Sequence, residues 1–174
     1  MKSVMTMKWI AYLLLFFIGF FGFRYFSFSD VNLILILLLM GVSIVIQITI
    51  HELGHLLMGL ITGYVFISFR LFFFLIFKQG KRLKIFFMPD NAFWGQCLMA
   101  PPKKDDKDDF PYLWYSLGGI FFNILAMLFV LPFLFSTSGS LQFFWFAIAI
   151  SGLLLAFFNA VPAIDKIPND GHNV

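Results

Sequence analysis

The longest apolar run in this sequence, from Val31 to Tyr64, limits the folds open to the chain more than any other feature. A helix over these 34 residues would be about 50 Å long at roughly 1.5 Å per residue, whereas the hydrocarbon core of a bilayer is about 30 Å thick. Such a helix must tilt, protrude from the membrane or break, and Gly59 and Gly63 are suitable places for it to end. We therefore expect this run to cross a membrane.

Composition agrees with a membrane protein, because 61% of the residues are hydrophobic and only 12% are charged. Soluble domains are nearer half apolar and one quarter charged. A shorter run before Arg24 could be a signal peptide, but no small-residue cleavage site follows it, which favours a retained span. The runs predict one α-helical polytopic membrane domain over residues 1–174, with about four transmembrane helices at about 9–23, 31–60, 116–135 and 141–161.

The lysine and arginine positions predict the orientation of the chain. If the N-terminus is cytosolic, all of the 12 basic residues except Arg24 fall on the cytosolic side, as the positive-inside rule requires. We expect an integral protein of a bacterial cell membrane with both termini in the cytosol. Orientation explains the basic pI without a nucleic-acid partner. The lone Cys97 excludes an intramolecular disulfide and a cysteine-based zinc cluster.

Residues 65–100 differ from the apolar runs around them. Lys78-Gln79-Gly80-Lys81 is a turn signal between Val65–Phe77 and Arg82–Met88, which predicts a β-hairpin, and Phe93–Met99 predicts a third short strand. The expected fold therefore has a small β-hairpin or sheet insertion on the cytosolic side, between the second and third transmembrane helices. An apolar interfacial loop is the alternative. Residues 101–111 are expected to form a charged, solvated linker.

The motif His51-Glu52-Leu53-Gly54-His55 lies within the longest apolar run. Two histidines four residues apart lie on one face of a helix, so their imidazoles can bind one metal ion. Glu52 is placed to accept a proton from a water molecule at that metal. Ionisable residues at membrane depth cost a few kcal/mol each and are usually functional. The motif therefore predicts a metal site, near the cytosolic end of the helix.

A catalytic zinc site needs a third protein ligand, and three candidates follow the last span on the same side as the motif: Asp165, Asp170 and His172. Asp30 belongs to the opposite side, and Asp90 and the linker aspartates have no apolar context that would place them. Asp170 is the best placed, because Gly171 allows a close approach of backbone and ligand.

Two asparagines in the last two spans are polar residues of a different kind. Asn123, after Gly118-Gly119, suits an interhelical contact. Asn159 suits either such a contact or a hydrogen bond into the metal site.

Three ordered motifs resemble the site-2 protease family of intramembrane zinc metalloproteases, over roughly residues 31–171. They are His51–His55, then Gly118-Gly119-Ile120-Phe121-Phe122-Asn123, then Asn159-Ala160-Val161-Pro162 with Asp170-Gly171. The resemblance implies that His51, His55 and Asp170 bind Zn²⁺ and that Glu52 activates water. It also implies that Asn159 helps to hold the substrate or the developing oxyanion, and that the β-hairpin pairs with an unwound substrate strand.

The function expected from these features is intramembrane zinc endopeptidase activity on a membrane protein or membrane peptide in the lipid bilayer. Two departures from the family support a competing expectation. The interval between Pro162 and Asp170 is longer than the family's, and the sequence ends at Val174, where the family continues its helix. The competing expectation is a truncated, catalytically impaired protease-like membrane protein that acts as a scaffold, immunity or regulatory partner.

Overall fold

A computed structural model of the chain describes residues 19–20, 22, 24, 28, 31–89, 94–102, 112–162 and 170–172. Within these ranges the longest elements are three helices: α1 (Leu33–Ile61), α2 (Tyr112–Ser136) and α3 (Gly139–Ala160). Four strands lie between α1 and α2: β1 (Val65–Leu71), β2 (Phe74–Gln79), β3 (Arg82–Phe87) and β4 (Gly95–Ala100). A short 3-10 turn, Asp170–His172, follows α3.

All three helices are long and apolar enough to cross a membrane. The 29 residues of α1 correspond to about 44 Å, so this helix exceeds the hydrocarbon thickness of about 30 Å. It begins after Asn32, whose side chain accepts a hydrogen bond from the backbone N–H of Leu35. It ends where Gly63 adopts a positive φ of 85°, and the chain enters β1 two residues later.

A glycine contact joins α1 to α2. A Cβ atom placed on Gly54 would lie 2.5 Å from the carbonyl oxygen of Gly118, and one on Gly118 would lie 2.6 Å from the carbonyl oxygen of Gly54. Only glycine permits two helix backbones to approach this closely in a membrane bundle. The contact brings the face of α1 that carries the His51 motif directly against α2.

The four strands form one antiparallel sheet in the order β3-β2-β1-β4. Its inner half, β1 and β4, packs on the end of α1 through a buried cluster of Tyr64, Cys97 and Met99. Phe66 and Phe69 pack against this cluster from β1. The sheet is therefore attached to the same end of α1 that carries the metal-site motif.

The expected fold, with about four transmembrane helices and a small β-hairpin or sheet insertion between the second and third, is wrong. Across the described residues there are three helices of membrane-spanning length, and the β-structure is a four-stranded sheet between the first and second of them. Of the run at about 9–23, only residues 19, 20 and 22 are described. That run is shorter than the roughly 20 residues that a spanning helix needs. The charged linker expected at 101–111 lies outside the described residues from 103 onward.

The sequence pattern predicts fewer strands than the structure contains, because the turn within the run Val65–Phe77 has no sequence signal. Phe72 has a φ of 50°, in the left-handed region that glycine and asparagine usually occupy. The turn at Phe72-Phe73 divides the run into two strands instead of one.

Candidate metal site

Three predicted ligands meet at the end of the bundle: His51 and His55 on successive turns of α1, and Asp170 in the 3-10 turn after α3. The Nε2 atoms of the two histidines are 3.1 Å apart. Asp170 Oδ2 lies 3.0 Å from Nε2 of His51 and 3.2 Å from Nε2 of His55. These three residues could hold a metal ion. Asp30, Asp90 and Asp165 lie outside the described residues, and only the backbone of His172 is described.

The spacing of the three atoms fits a small divalent cation. Ligand atoms about 2.0–2.1 Å from a tetrahedral zinc ion lie about 3.3 Å from one another. Oδ2 of Asp170 is buried and has no hydrogen-bond donor in the described part of the chain. A buried carboxylate oxygen without a donor is costly, and a cation between these atoms would satisfy it.

Hydrogen bonds to oxygen atoms of α2 fix the tautomers of both imidazoles. Nδ1 of His55 lies 2.8 Å from the carbonyl oxygen of Tyr115, which can only accept, so Nδ1 carries the proton. Nε2 of His55 then presents its lone pair to the ligand cluster. A histidine whose outer nitrogen is bonded in this way is the usual form of a metal ligand.

His51 is fixed in the same way through a longer chain. Gln47 Nε2 donates to the carbonyl of Ile148 (2.9 Å), so Gln47 Oε1 accepts from Asn123 Nδ2 (2.7 Å). Asn123 Oδ1 is then left to accept from Nδ1 of His51, 2.7 Å away. The lone pair of His51 Nε2 consequently points at the same position as those of His55 and Asp170.

Gly119 supplies the space that His51 occupies. A Cβ atom at this position would lie 2.5–2.6 Å from three atoms of the His51 ring. The ring therefore lies directly on the α2 backbone, and it is only 6% exposed. Any side chain at position 119 would displace it.

Asp170 is a carboxylate at neutral pH. Burial opposes its charged form, but protons on Nε2 of the two imidazoles outweigh burial and lower the pKa of the Asp170 carboxyl to about 2. A cation bound to the Nε2 lone pairs would replace these protons and act in the same direction. A carboxylate must be ionised to bind a metal ion, and Asp170 meets this condition.

Glu52 lies beside the ligands and is 8% exposed. Its carboxyl interacts electrostatically with His51, His55 and Asp170, and it accepts a hydrogen bond from the backbone N–H of Cys97. A Cβ atom on Gly95 would lie 2.5 Å from Glu52 Oε1, so β4 forms a close wall over this carboxyl. Burial, and secondarily the charge of Glu52, raise the pKa of the Cys97 thiol to about 12, so this thiol stays protonated.

Asn159 lies on the last turn of α3, and its Nδ2 donates to the carbonyl of Leu155 at 2.9 Å. None of the hydrogen bonds described joins its carboxamide to Glu52 or to the three ligands. Its role toward a substrate remains a prediction.

Sequence reasoning missed three contributors to the site: Gln47, Tyr115 and the β4 strand. Gln47 could have been found, because it is a polar residue one turn before His51 in an apolar helix. Tyr115 and Cys97 act through backbone groups, which carry no sequence signal. Asn123 was expected only as an interhelical contact, and the structure shows it bonded to both Gln47 and His51.

Comparisons with models of known protein families, with curated proteins and with solved structures gave no match.

Proposed function

We propose that this protein is an intramembrane zinc metalloendopeptidase that hydrolyses a peptide bond in or near a transmembrane segment of its substrate. One observation carries the proposal: the lone-pair atoms of His51, His55 and Asp170 converge to within 3.0–3.2 Å beside the buried Glu52, on a helix apolar enough to cross a membrane. Ionisable groups in such a helix are retained for function.

The donor set supports zinc as the metal. Two imidazole nitrogens and one carboxylate oxygen form a three-ligand set of the kind found in catalytic zinc sites, which leave a fourth position open. When bound there, zinc supplies a Lewis acid that lowers the pKa of water toward about 7 and polarises a carbonyl group.

The residues of the chain would supply the proton transfers and the exclusion of bulk water. Glu52 accepts the proton of the attacking water at its carboxylate and then delivers it to the leaving amine. The Cys97 N–H and the Gly95 wall hold this carboxyl in place. The imidazoles stay fixed during these steps, because α2 provides the acceptors for both Nδ1 protons.

The arrangement of elements supports a site on the cytosolic side of the membrane. The sheet that joins α1 to α2 carries five basic residues and no acidic residue in its described part, as the positive-inside rule requires of a cytosolic connection. The motif and Asp170 lie at the same end of the bundle as this sheet. The substrates would be membrane proteins or membrane peptides that reach the site from the bilayer.

Glu52→Gln separates proteolysis from metal binding. We expect the purified wild type to contain zinc and to cut a model transmembrane peptide, measured by mass spectrometry of the products. Glu52→Gln should keep its zinc, since residue 52 is not a ligand, and should lose about 10²- to 10⁴-fold in rate, since it cannot act as a base.

Two results would contradict the proposal. If the wild type contains zinc but cuts no faster than Glu52→Gln, the protein is a metal-binding, protease-like partner without activity. If it binds no zinc, the metal assignment itself is wrong.

A further inference from the structure

The outer half of the sheet carries an apolar surface that continues the one packed on α1. Phe69, which packs on the Tyr64–Cys97–Met99 cluster, is directly opposite Ile76, and Ile76 is directly opposite Ile85. Opposed residues share a face of a sheet. We call the outer part of this face the apolar shelf, and it consists of the following residues: Phe74, Ile76, Leu83, Ile85 and Phe87.

The apolar shelf is largely uncovered in the described part of the chain. Leu83, Ile85 and Phe87 are 64%, 68% and 64% exposed. Exposed apolar patches of this kind mark contact with a membrane or another protein. The shelf faces the side of the sheet on which α1 lies, and the nearby end of α1 also exposes Leu60 and Ile61.

Basic side chains lie at one end of this shelf, around the turn between β2 and β3. Lys78, Lys81 and Arg82 are exposed at the turn of the β2–β3 hairpin, and we call them the basic tip. Lys84 is also exposed, but it lies on the opposite face of β3 from the shelf. The acidic residues among those described are Glu52 and Asp170, and both belong to the metal site. No described carboxylate therefore neutralises the tip, which is complementary to an anionic surface.

Two constraints set the depth of this region. Among the described strands β3 is an edge of the sheet, and unpaired backbone groups are not tolerated in hydrocarbon. They can be satisfied at the lipid headgroups, where long basic side chains also reach phosphate while their stems lie on apolar surface.

We propose that β2 and β3 lie in the interface of an anionic bilayer, with the apolar shelf toward the acyl chains and the basic tip on the headgroups. This proposal does not depend on the proposed peptidase activity. It identifies the partner of the exposed face as lipid of negative charge, instead of another protein.

Neighbouring labels on opposite faces of β3 test the proposal. The experiment uses the full chain with Cys97→Ala, which removes its only thiol. An environment-sensitive fluorophore is attached at Ile85→Cys in one protein and at Lys84→Cys in another, and both proteins are placed in nanodiscs. Lipids brominated on their acyl chains should quench the label at 85 about threefold more than the label at 84, because an interfacial element buries one face only.

The lipid charge is tested with the same label at 85. Quenching should be stronger in nanodiscs containing about one quarter phosphatidylglycerol than in phosphatidylcholine alone. Lys81→Glu with Arg82→Glu, or about 0.5 M salt, should remove most of that difference.

Three outcomes would overturn the proposal. Equal quenching at 84 and 85 would show that the sheet does not lie on the membrane by one face. If quenching depends neither on the lipid charge nor on the glutamate substitutions, anionic lipid is not the partner of this face. A shielded label at 85 that brominated lipid does not quench would mean that a protein covers the shelf.

Discussion

At the scale of single residues, Asn123 connects helix packing to the metal site. It is fully buried, donates to both the side chain and the backbone carbonyl of Gln47, and accepts from His51. Its three bonds span two helices, so the orientation of one imidazole depends on a residue that touches no metal. Polar groups in such a chain cost free energy if any member loses its partner.

Gln47→Met tests this dependence. The methionine side chain has a similar length but bonds neither Asn123 nor the carbonyl of Ile148. Asn123 then keeps only its bond to the backbone carbonyl of residue 47, and it holds the His51 imidazole less firmly. We expect zinc affinity to fall about 10- to 100-fold, as is typical when the outer hydrogen bonds of a ligand are removed. Affinity is measured by competition with a chromogenic chelator.

Ser43→Ala is the matched control, because Ser43 is equally buried one turn earlier and bonds only the carbonyl of Leu39 in its own helix. Its zinc affinity should remain that of the wild type. A Gln47→Met protein that binds zinc like the Ser43→Ala protein would show that Asn123 holds His51 without help.

At the scale of elements, the site depends on how closely α1 and α2 approach. Gly54 and Gly118 allow backbone contact, and Gly119 then leaves room for the His51 ring. The motif on α1 is consequently complete only when α2 lies against it.

Gly119→Ala should therefore remove the site with one methyl group. The added Cβ would lie 2.5 Å from the His51 ring, so the ring must rotate away from Asp170 and its hydrogen bond to Asn123 must break. We expect zinc content, measured by mass spectrometry of the purified protein, to fall well below one ion per chain. Gly41→Ala is the control, since a Cβ on Gly41 meets no atom within 4 Å. Full zinc occupancy in Gly119→Ala would contradict this account of the packing.

At the scale of the whole molecule, the ligands join two distant parts of the sequence. His51 and His55 lie on the first described long helix, and Asp170 follows the last one. A bound ion would therefore connect the first of these helices to the segment that follows the last, and metal binding would add to the stability of the native state.

Zinc should accordingly raise the melting temperature of the detergent-solubilised protein, and a chelator should reverse the rise. At 100 times its Kd a ligand adds about 2.7 kcal/mol to the free energy of unfolding. Asp170→Ala should lose most of this response, whereas Asp165→Ala, which removes a carboxylate five residues earlier, should keep it. A reversed pattern would assign the third ligand to Asp165.

Local spacing accounts for the part of the site that could be predicted from the sequence. Residues four apart share a helix face, so the placement of His51 and His55 follows from the motif alone. Asp170 depends instead on how the chain returns after α3, and the glycine beside it was only an indirect signal. The Tyr115 carbonyl and the Phe72 turn had no signal at all, because backbone acceptors and an unusual φ do not depend on residue type in a readable way.

The hydrogen bonds of the two imidazoles to α2 make the geometry of the candidate metal site depend on the register of α1 along α2. His51 bonds Asn123, and His55 bonds Tyr115, which precedes Asn123 in the sequence; α1 and α2 therefore run antiparallel. If α1 slid along α2 by one helical turn, about 5.4 Å, both imidazoles would lose their acceptors together. If the proposed zinc site is confirmed, zinc binding can serve as an assay for correct assembly of the helices, in any variant that keeps the three ligands and without a known substrate.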